Sequence, residues 1–185
     1  MAAKSSFTNM VVCLGAVCLI CGAVLGSLYA VTKKPIDRTR DAAEKEAVGK
    51  VLPDGGELSA PEKVGKDGIV EYYVQTRDGA AAAYAVKSST AGFGGELVLM
   101  VGVLPDGTVN NTTVVEHSET PGLGAKCTDE NSHFREQWKG FGPDRELAVG
   151  KDGGDVDAIT ASTITSRAYT AAVKQAVDFV KSLGK

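Results

Sequence analysis

No charged residue occurs between Lys4 and Lys33, and the stretch from Met10 to Val31 is one apolar run. Its length matches the ~20 residues a helix needs to cross a ~30 Å hydrocarbon layer. Backbone in lipid must satisfy its polar groups internally, so such a segment is helical. A cleaved export signal is the competing reading, but its apolar region is about 7–15 residues long and ends at a small-x-small site. The run here is longer, and Leu28-Tyr29-Ala30 is a poor site. The pattern predicts a tail over 1–8, a membrane helix over 9–31, a linker over 32–50 and a folded domain over 51–185. Pro35 is expected to end the membrane helix, and the charged, Ala-rich Asp37–Val48 stretch to form a short exposed helix or linker.

Two hairpins follow. Ile69–Val74 and Ala83–Val86 flank Arg77-Asp78-Gly79, and Leu97–Val103 and Thr108–Val115 flank Pro105-Asp106-Gly107. Asp-Gly between β-forming runs is a strong turn signal. The Gly-rich loop Gly92-Phe93-Gly94-Gly95 joins the two units. Beyond His117 the pattern changes: Thr120–Gly124 reads as a loop, Ser132–Trp138 as a short helix, and Gly150–Asp155 as a Gly/Asp-rich connection. Tyr169, Ala172, Val173, Ala176, Val177 and Val180 recur at helical spacing and predict a closing amphipathic helix. Strands first and helices later give an α+β domain, a mixed antiparallel sheet with helices, behind one membrane helix.

Composition narrows the function. With 20 basic and 23 acidic residues the chain is mildly acidic, and it holds no Lys/Arg-rich block, which argues against nucleic acid. Cys13, Cys18 and Cys21 lie in the apolar run and Cys127 stands alone downstream, so the soluble part has no pair for a disulfide. The Cys18–Cys21 pair reads as small apolar packing. His117 and His133 have no companions at metal-ligand spacing, so no metal site is expected. Phe134 and Trp138 share a helical face and read as core. Gly15, Gly22 and Gly26 share a face of the membrane helix, the last two as G-x-x-x-G. Small residues let a second helix approach in lipid, which points to a membrane partner.

The stretch Asp157-Ala158-Ile159-Thr160-Ala161-Ser162-Thr163-Ile164-Thr165-Ser166-Arg167 lies where a polar segment meets the last helix. On spacing alone it is open to two readings. Ser and Thr cap helix N-termini, and the free N–H groups and dipole of that end also favour a phosphate.

The same stretch resembles the flavin-attachment motif of the FMN-binding domain family, Asp-x-x-Ser/Thr-Gly-Ala-Thr followed by x-Thr-Ser. Asp157, Thr160, Thr163, Thr165 and Ser166 match. Ala161 and Ser162 replace the usual Gly and Ala; both are small, but the change gives up low-cost access to positive φ. Gly92-Phe93-Gly94-Gly95-Glu96-Leu97 resembles the family's Gly-rich segment before a strand, and Glu119-Thr120-Pro121-Gly122-Leu123-Gly124 matches its Glu-Thr-Pro-Gly-Leu-Gly loop. The family includes the G subunit of the Rnf electron-transport complex and the C subunit of the sodium-translocating NADH:quinone oxidoreductase.

The resemblance implies FMN held covalently through a phosphoester to Thr163 and installed by a separate Mg-dependent flavin transferase. Thr160 and Thr165 are candidates to hydrogen-bond the phosphate, or else to cap. Glu119, Thr120, Gly122, Leu123 and Gly124 are candidates to contact the flavin. Arg167 is a candidate to offset the phosphodiester's charge, or else an exposed surface residue. The implied role is the electron-carrying subunit of a membrane-bound ion-translocating ferredoxin:NAD oxidoreductase, without independent turnover, among other integral membrane and redox subunits. Three readings stand beside it: a component like the C subunit of the quinone reductase, a non-redox anchor or assembly subunit, and a stand-alone membrane flavoprotein reductase. The resemblance puts the domain outside the cytoplasmic membrane. Lys33, Lys34, Arg38 and Arg40 outnumber Lys4 and by the positive-inside rule point the other way, although that rule weakens for long translocated domains.

Overall fold

The structure, a computed structural model, describes residues 7–184. Its first element, α1, runs unbroken from Phe7 to Val51, with Pro35 inside it. The expected stop at Pro35 does not occur. A proline removes one ladder hydrogen bond and strains one turn, but here it leads into Arg38–Ala47, a run rich in good helix formers. The apolar segment of α1 is the one helix among the described residues long and apolar enough to cross a membrane. Its large side chains are exposed, Leu14, Leu19 and Leu25 by more than half. The chain divides into two compact units, Met1–Ala42 and Ala43–Lys185.

Within the second unit the end of α1 is not an exposed linker. Ala47, Val48 and Val51 are buried against Ala85 and Met100 of the sheet. A Cβ on Gly102 would run into the Val51 carbonyl, so glycine is what lets this helix end approach β5. Nearby, Lys87 bridges Glu44 and Glu71, the latter at 2.8 Å, while the Tyr73 hydroxyl donates to Glu44 at 2.8 Å. Burial pushes the Glu44 carboxyl up, but its bonds from Lys87 and Tyr73 outweigh this and leave it below the ordinary carboxylate range.

The sheet has six antiparallel strands: β1 (Glu57–Leu58), β2 (Glu62–Lys66), β3 (Ile69–Arg77), β4 (Ala80–Ala91), β5 (Glu96–Val103) and β6 (Val109–His117). The order is β1-β3-β4-β5-β6, with β2 also on β3. Both predicted hairpins form. Asp78 and Gly79 take φ of 54° and 80°, as a two-residue turn with both centres at positive φ requires. The short polar strands β1 and β2 were not expected. The β2–β3 turn at Asp67-Gly68 repeats the same geometry, with φ of 53° and 77°.

Alternation on β5 sends Leu97, Leu99, Val101 and Val103 to one face, where α3 (Thr163–Leu183) lays Tyr169, Ala172, Val173, Ala176, Val177 and Val180. Val98 and Met100 point to the other face, where Met100 meets the end of α1. The short helix α2 (His133–Glu136) closes one end. Phe134 meets Tyr169 edge-on at 5.0 Å and Trp138 stacks on Tyr169 at 5.5 Å, so both are core residues, as the helical spacing implied. This packing leaves the first turn of α3 beside the loops that follow β4 and β6.

Candidate functional site

A four-residue turn, Ile159–Ser162, delivers the chain to α3, closed by the Ser162 N–H on the Ile159 carbonyl at 3.0 Å. Its third residue, Ala161, sits at φ 62°. That conformation ordinarily selects glycine, which gives a physical reason for the residue type the related motif carries there. Ser166 pins the turn from inside the helix. Its Oγ accepts from the Ile159 N–H at 2.9 Å and donates to the Ser162 carbonyl at 2.9 Å.

α3 then begins with Thr163. The preceding residue, Ser162, has no side-chain capping bond, and its buried Oγ has no partner. The N–H groups of Thr163, Ile164 and Thr165 precede the first residue that can reach back four positions, so the helix itself leaves them without acceptors. Capping, the alternative raised by the Ser/Thr cluster, is therefore not what Ser162 provides.

Two loops face this helix end across a cavity of about 350 Å³. One is the Gly92–Gly95 loop, which contributes Phe93; the other contributes Glu119, Thr120, Leu123 and Gly124. Glu119 ties all three segments together. Its carboxylate, 5% exposed, accepts from the Phe93 N–H at 2.8 Å and from the Thr165 hydroxyl at 2.8 Å. A Cβ on Gly92 or Gly124 would run into that carboxylate, so both glycines make room for it. The Glu119 N–H donates to His117 Nδ1 at 3.2 Å, a local structural bond. Among the described residues no cluster of three or more metal-ligating side chains exists.

The structure thus gathers Thr163, Thr165, Glu119, Thr120, Leu123 and Gly124 around one cavity. Thr160 and Gly122 are exposed and do not line it. Arg167 does not face Thr163 as a free cation: it makes a bidentate pair with Asp152, at 2.7 and 2.6 Å, and this guanidinium holds the Asp152 carboxyl below its ordinary range. Sequence reasoning missed Lys151, whose Nζ donates to Thr163 Oγ1 at 3.4 Å. It also gave no role to Ile164, which lies on the cavity wall and is 52% exposed. No spacing rule links residue 151 to 163, whereas an apolar residue at the second position of an amphipathic helix, on its polar side, was a visible anomaly.

These residues fit an FMN. The uncapped helix end with an unpartnered buried hydroxyl suits a phosphate. The exposed apolar side chains of Phe93, Leu123 and Ile164 at the same cavity suit a flat, largely apolar ring system, and the volume lies in the range of small-molecule sites.

The site geometry fits an FMN, and residues 92–178 match the family model described as the FMN-binding domain. The chain is 32% identical over 166 residues to the G subunit of the proton-translocating ferredoxin:NAD(+) oxidoreductase complex of Clostridium ljungdahlii, covering 88% of this chain and 85% of that one. It is 33% identical to the G subunit of the ion-translocating oxidoreductase complex of Shewanella baltica, over 86% and 82% of the two chains. The namesake from Methanosarcina acetivorans aligns over 98% of both chains at 30% identity. Among solved structures, the crystal structure of Shewanella oneidensis NqrC overlaps 66% of this chain and 69% of its own at 22% identity, with a TM-score of 0.46. The chain belongs to the G-subunit family of the ion-translocating oxidoreductase complexes.

Proposed function

We propose that this protein is the electron-carrying subunit of an Rnf-type ion-translocating ferredoxin:NAD oxidoreductase, with FMN joined to Thr163 through a phosphoester. One observation carries the choice of Thr163. Of the three threonines in the motif, it alone presents a hydroxyl that is both on the cavity wall and uncommitted to a buried acceptor. Thr165 is 1% exposed and donates to Glu119, and Thr160 stands off the cavity.

Loading would proceed by phosphoryl transfer from flavin adenine dinucleotide on a flavin transferase. The Thr163 Oγ–phosphorus bond forms, the anhydride bond to the adenylate breaks, adenosine monophosphate leaves with that electron pair, and the Thr163 proton passes to a base of the transferase. The N–H groups of the first turn of α3 and the Ser162 hydroxyl would hold the phosphate oxygens, while Phe93, Leu123 and Ile164 would flank the ring. FMN, when bound, supplies reversible electron uptake and release; the chain supplies position and surroundings. Linkage through phosphate leaves the ring free and prevents loss of the cofactor.

The relatives' names motivate the placement in a complex with other integral membrane and redox subunits. Gly22 and Gly26 on the apolar helix, with open space beside them, suit close approach by one of those partners. The domain is proposed to lie on the outer side of the cytoplasmic membrane; protease protection of the domain in intact spheroplasts would reverse that assignment.

The decisive test is intact mass and in-gel fluorescence of the denatured chain after co-expression with a flavin transferase. Thr163→Ala is expected to lose the flavin and remain folded, since among the described residues the hydroxyl it removes accepts only a long bond from Lys151, and losing such a bond costs about 0.5–1.5 kcal/mol. Thr160→Ala and Thr165→Ala are expected to retain linkage. Flavin retained in Thr163→Ala but lost in either of the others would show that the attachment residue is misassigned. A wild-type chain carrying none would favour the non-redox anchor.

A further inference from the structure

The wall of the cavity carries one ionisable side chain among the described residues, the carboxyl of Glu119, and no cation. A phosphodiester on Thr163 brings a negative charge to this wall. The helix end offsets part of it, but Arg167, the cation nearest in sequence, is already paired with Asp152.

The missing cation stands just outside the cavity. A 3-10 turn, Gly150–Asp152, is pinned by the Gly150 N–H on the Val156 carbonyl at 2.9 Å. Two consecutive residues of this turn reach two residues of α3 one helical turn apart. Lys151 Nζ donates to Thr163 Oγ1 at 3.4 Å, and Asp152 accepts both bonds from Arg167. Residues four apart on a helix share a face, so the Asp152–Arg167 pair braces the turn against the face from which Lys151 approaches Thr163.

Resting on the attachment reading above, we propose that Lys151 is the positioning cation for the phosphodiester: its ammonium pairs with a non-bridging phosphate oxygen on Thr163, while Arg167 serves only to hold the turn that carries it. Lys151 reaches Oγ1 at 3.4 Å without itself lining the cavity, so its ammonium can neutralise the linkage and leave the cavity wall to the ring. An ammonium that meets the oxygen before transfer also meets the charge that gathers on phosphorus oxygens during transfer. Lys151 therefore favours both loading and the loaded product.

The test uses the full-length chain in detergent, purified flavin transferase, flavin adenine dinucleotide and Mg, with intact mass followed over time for wild type, Lys151→Arg, Lys151→Gln and Lys151→Glu. Charge-assisted hydrogen bonds at a partly exposed site imply a loading rate about three- to tenfold lower for Lys151→Gln, and lower still for Lys151→Glu, with Lys151→Arg within about twofold of wild type. On chains driven to full loading, the 31P resonance of the linkage is expected to move on Lys151→Gln and to stay near wild type on Lys151→Arg. That second reading does not depend on how the transferase docks. Equal loading rates and an unmoved 31P resonance in Lys151→Gln and Lys151→Glu would overturn the role of Lys151 while leaving the attachment intact. A wild-type chain that gains no flavin mass would instead overturn the attachment reading, and the role of Lys151 with it.

Discussion

The Thr165 hydroxyl donates to Glu119 Oε2 at 2.8 Å, out of solvent and across 46 positions of sequence. With the Phe93 N–H on Oε1, this makes one carboxylate the junction of three segments that share no sheet ladder.

Removing that junction leaves the buried Thr165 hydroxyl and the part-buried Phe93 N–H without acceptors. Glu119→Ala is expected to destabilise the domain by about 3 kcal/mol, from about 1–3 kcal/mol for each orphaned group. Thr165→Ala removes one donor and leaves the other satisfied, so it should cost less. The two changes should be non-additive, because the second finds the bond already gone. Urea midpoints of the single and double variants measure this, and strict additivity would mean that the hydrogen bond contributes nothing to stability.

The strained turn makes the second prediction. Ala161 occupies φ 62°, a conformation that costs an L-residue roughly 1–2 kcal/mol. Glycine removes that strain but loses more backbone freedom on folding, by roughly 0.5–1 kcal/mol. Ala161→Gly is therefore expected to raise stability by about 0.5–1 kcal/mol, and Ala161→Val to lower it by more than that, since a β-branched residue fits positive φ worst. Thermal melting orders the three proteins. Should glycine prove the least stable of them, the turn does not hold this conformation in solution.

Much of the fold was legible because its signals are local. The Asp78-Gly79 turn, the alternating Leu97–Val103 strand and the 3.6-residue stripe from Tyr169 to Val180 each follow from neighbours in sequence. The polar β2 gave no such signal, since Glu62, Lys63 and Lys66 on an exposed edge alternate with nothing apolar except Val64. The end of α1 was missed for a different reason. Three small or medium apolar residues, Ala47, Val48 and Val51, look like a linker until Gly102 opens a place for them on the sheet. At the site, the motif around Thr163 and the Glu119–Gly124 loop were visible as residue patterns. Lys151 and the pairing of Arg167 with Asp152 depend on a tertiary approach that spacing does not encode.

The last prediction concerns alkaline pH. Cys127 lies in the 3-10 turn Gly124–Thr128, fully buried, and burial, reinforced by the charge of Glu119, pushes its thiol from 9.0 up to about 11. The thiol of the unfolded chain is not so raised. Between those values the unfolded chain has lost the proton and the folded one keeps it, so the folded state binds more protons and its stability must fall as pH rises. The contribution is intact below pH 9 and is lost progressively towards about 11, with a slope approaching about 1.4 kcal/mol per pH unit for one group. Tyr169, raised by burial from 10.0 to about 12, extends the decline upward in the same direction. Cys127→Ala removes the first of these and keeps the second. Its melting temperature is expected to change little between pH 8 and 9 and then to fall less steeply than that of the wild type up to pH 11. Glu119→Gln should act in the same sense more weakly, by taking away a charge that helps keep the thiol protonated. Parallel pH profiles for wild type and Cys127→Ala would mean that the thiol is not held in its neutral form by the folded protein.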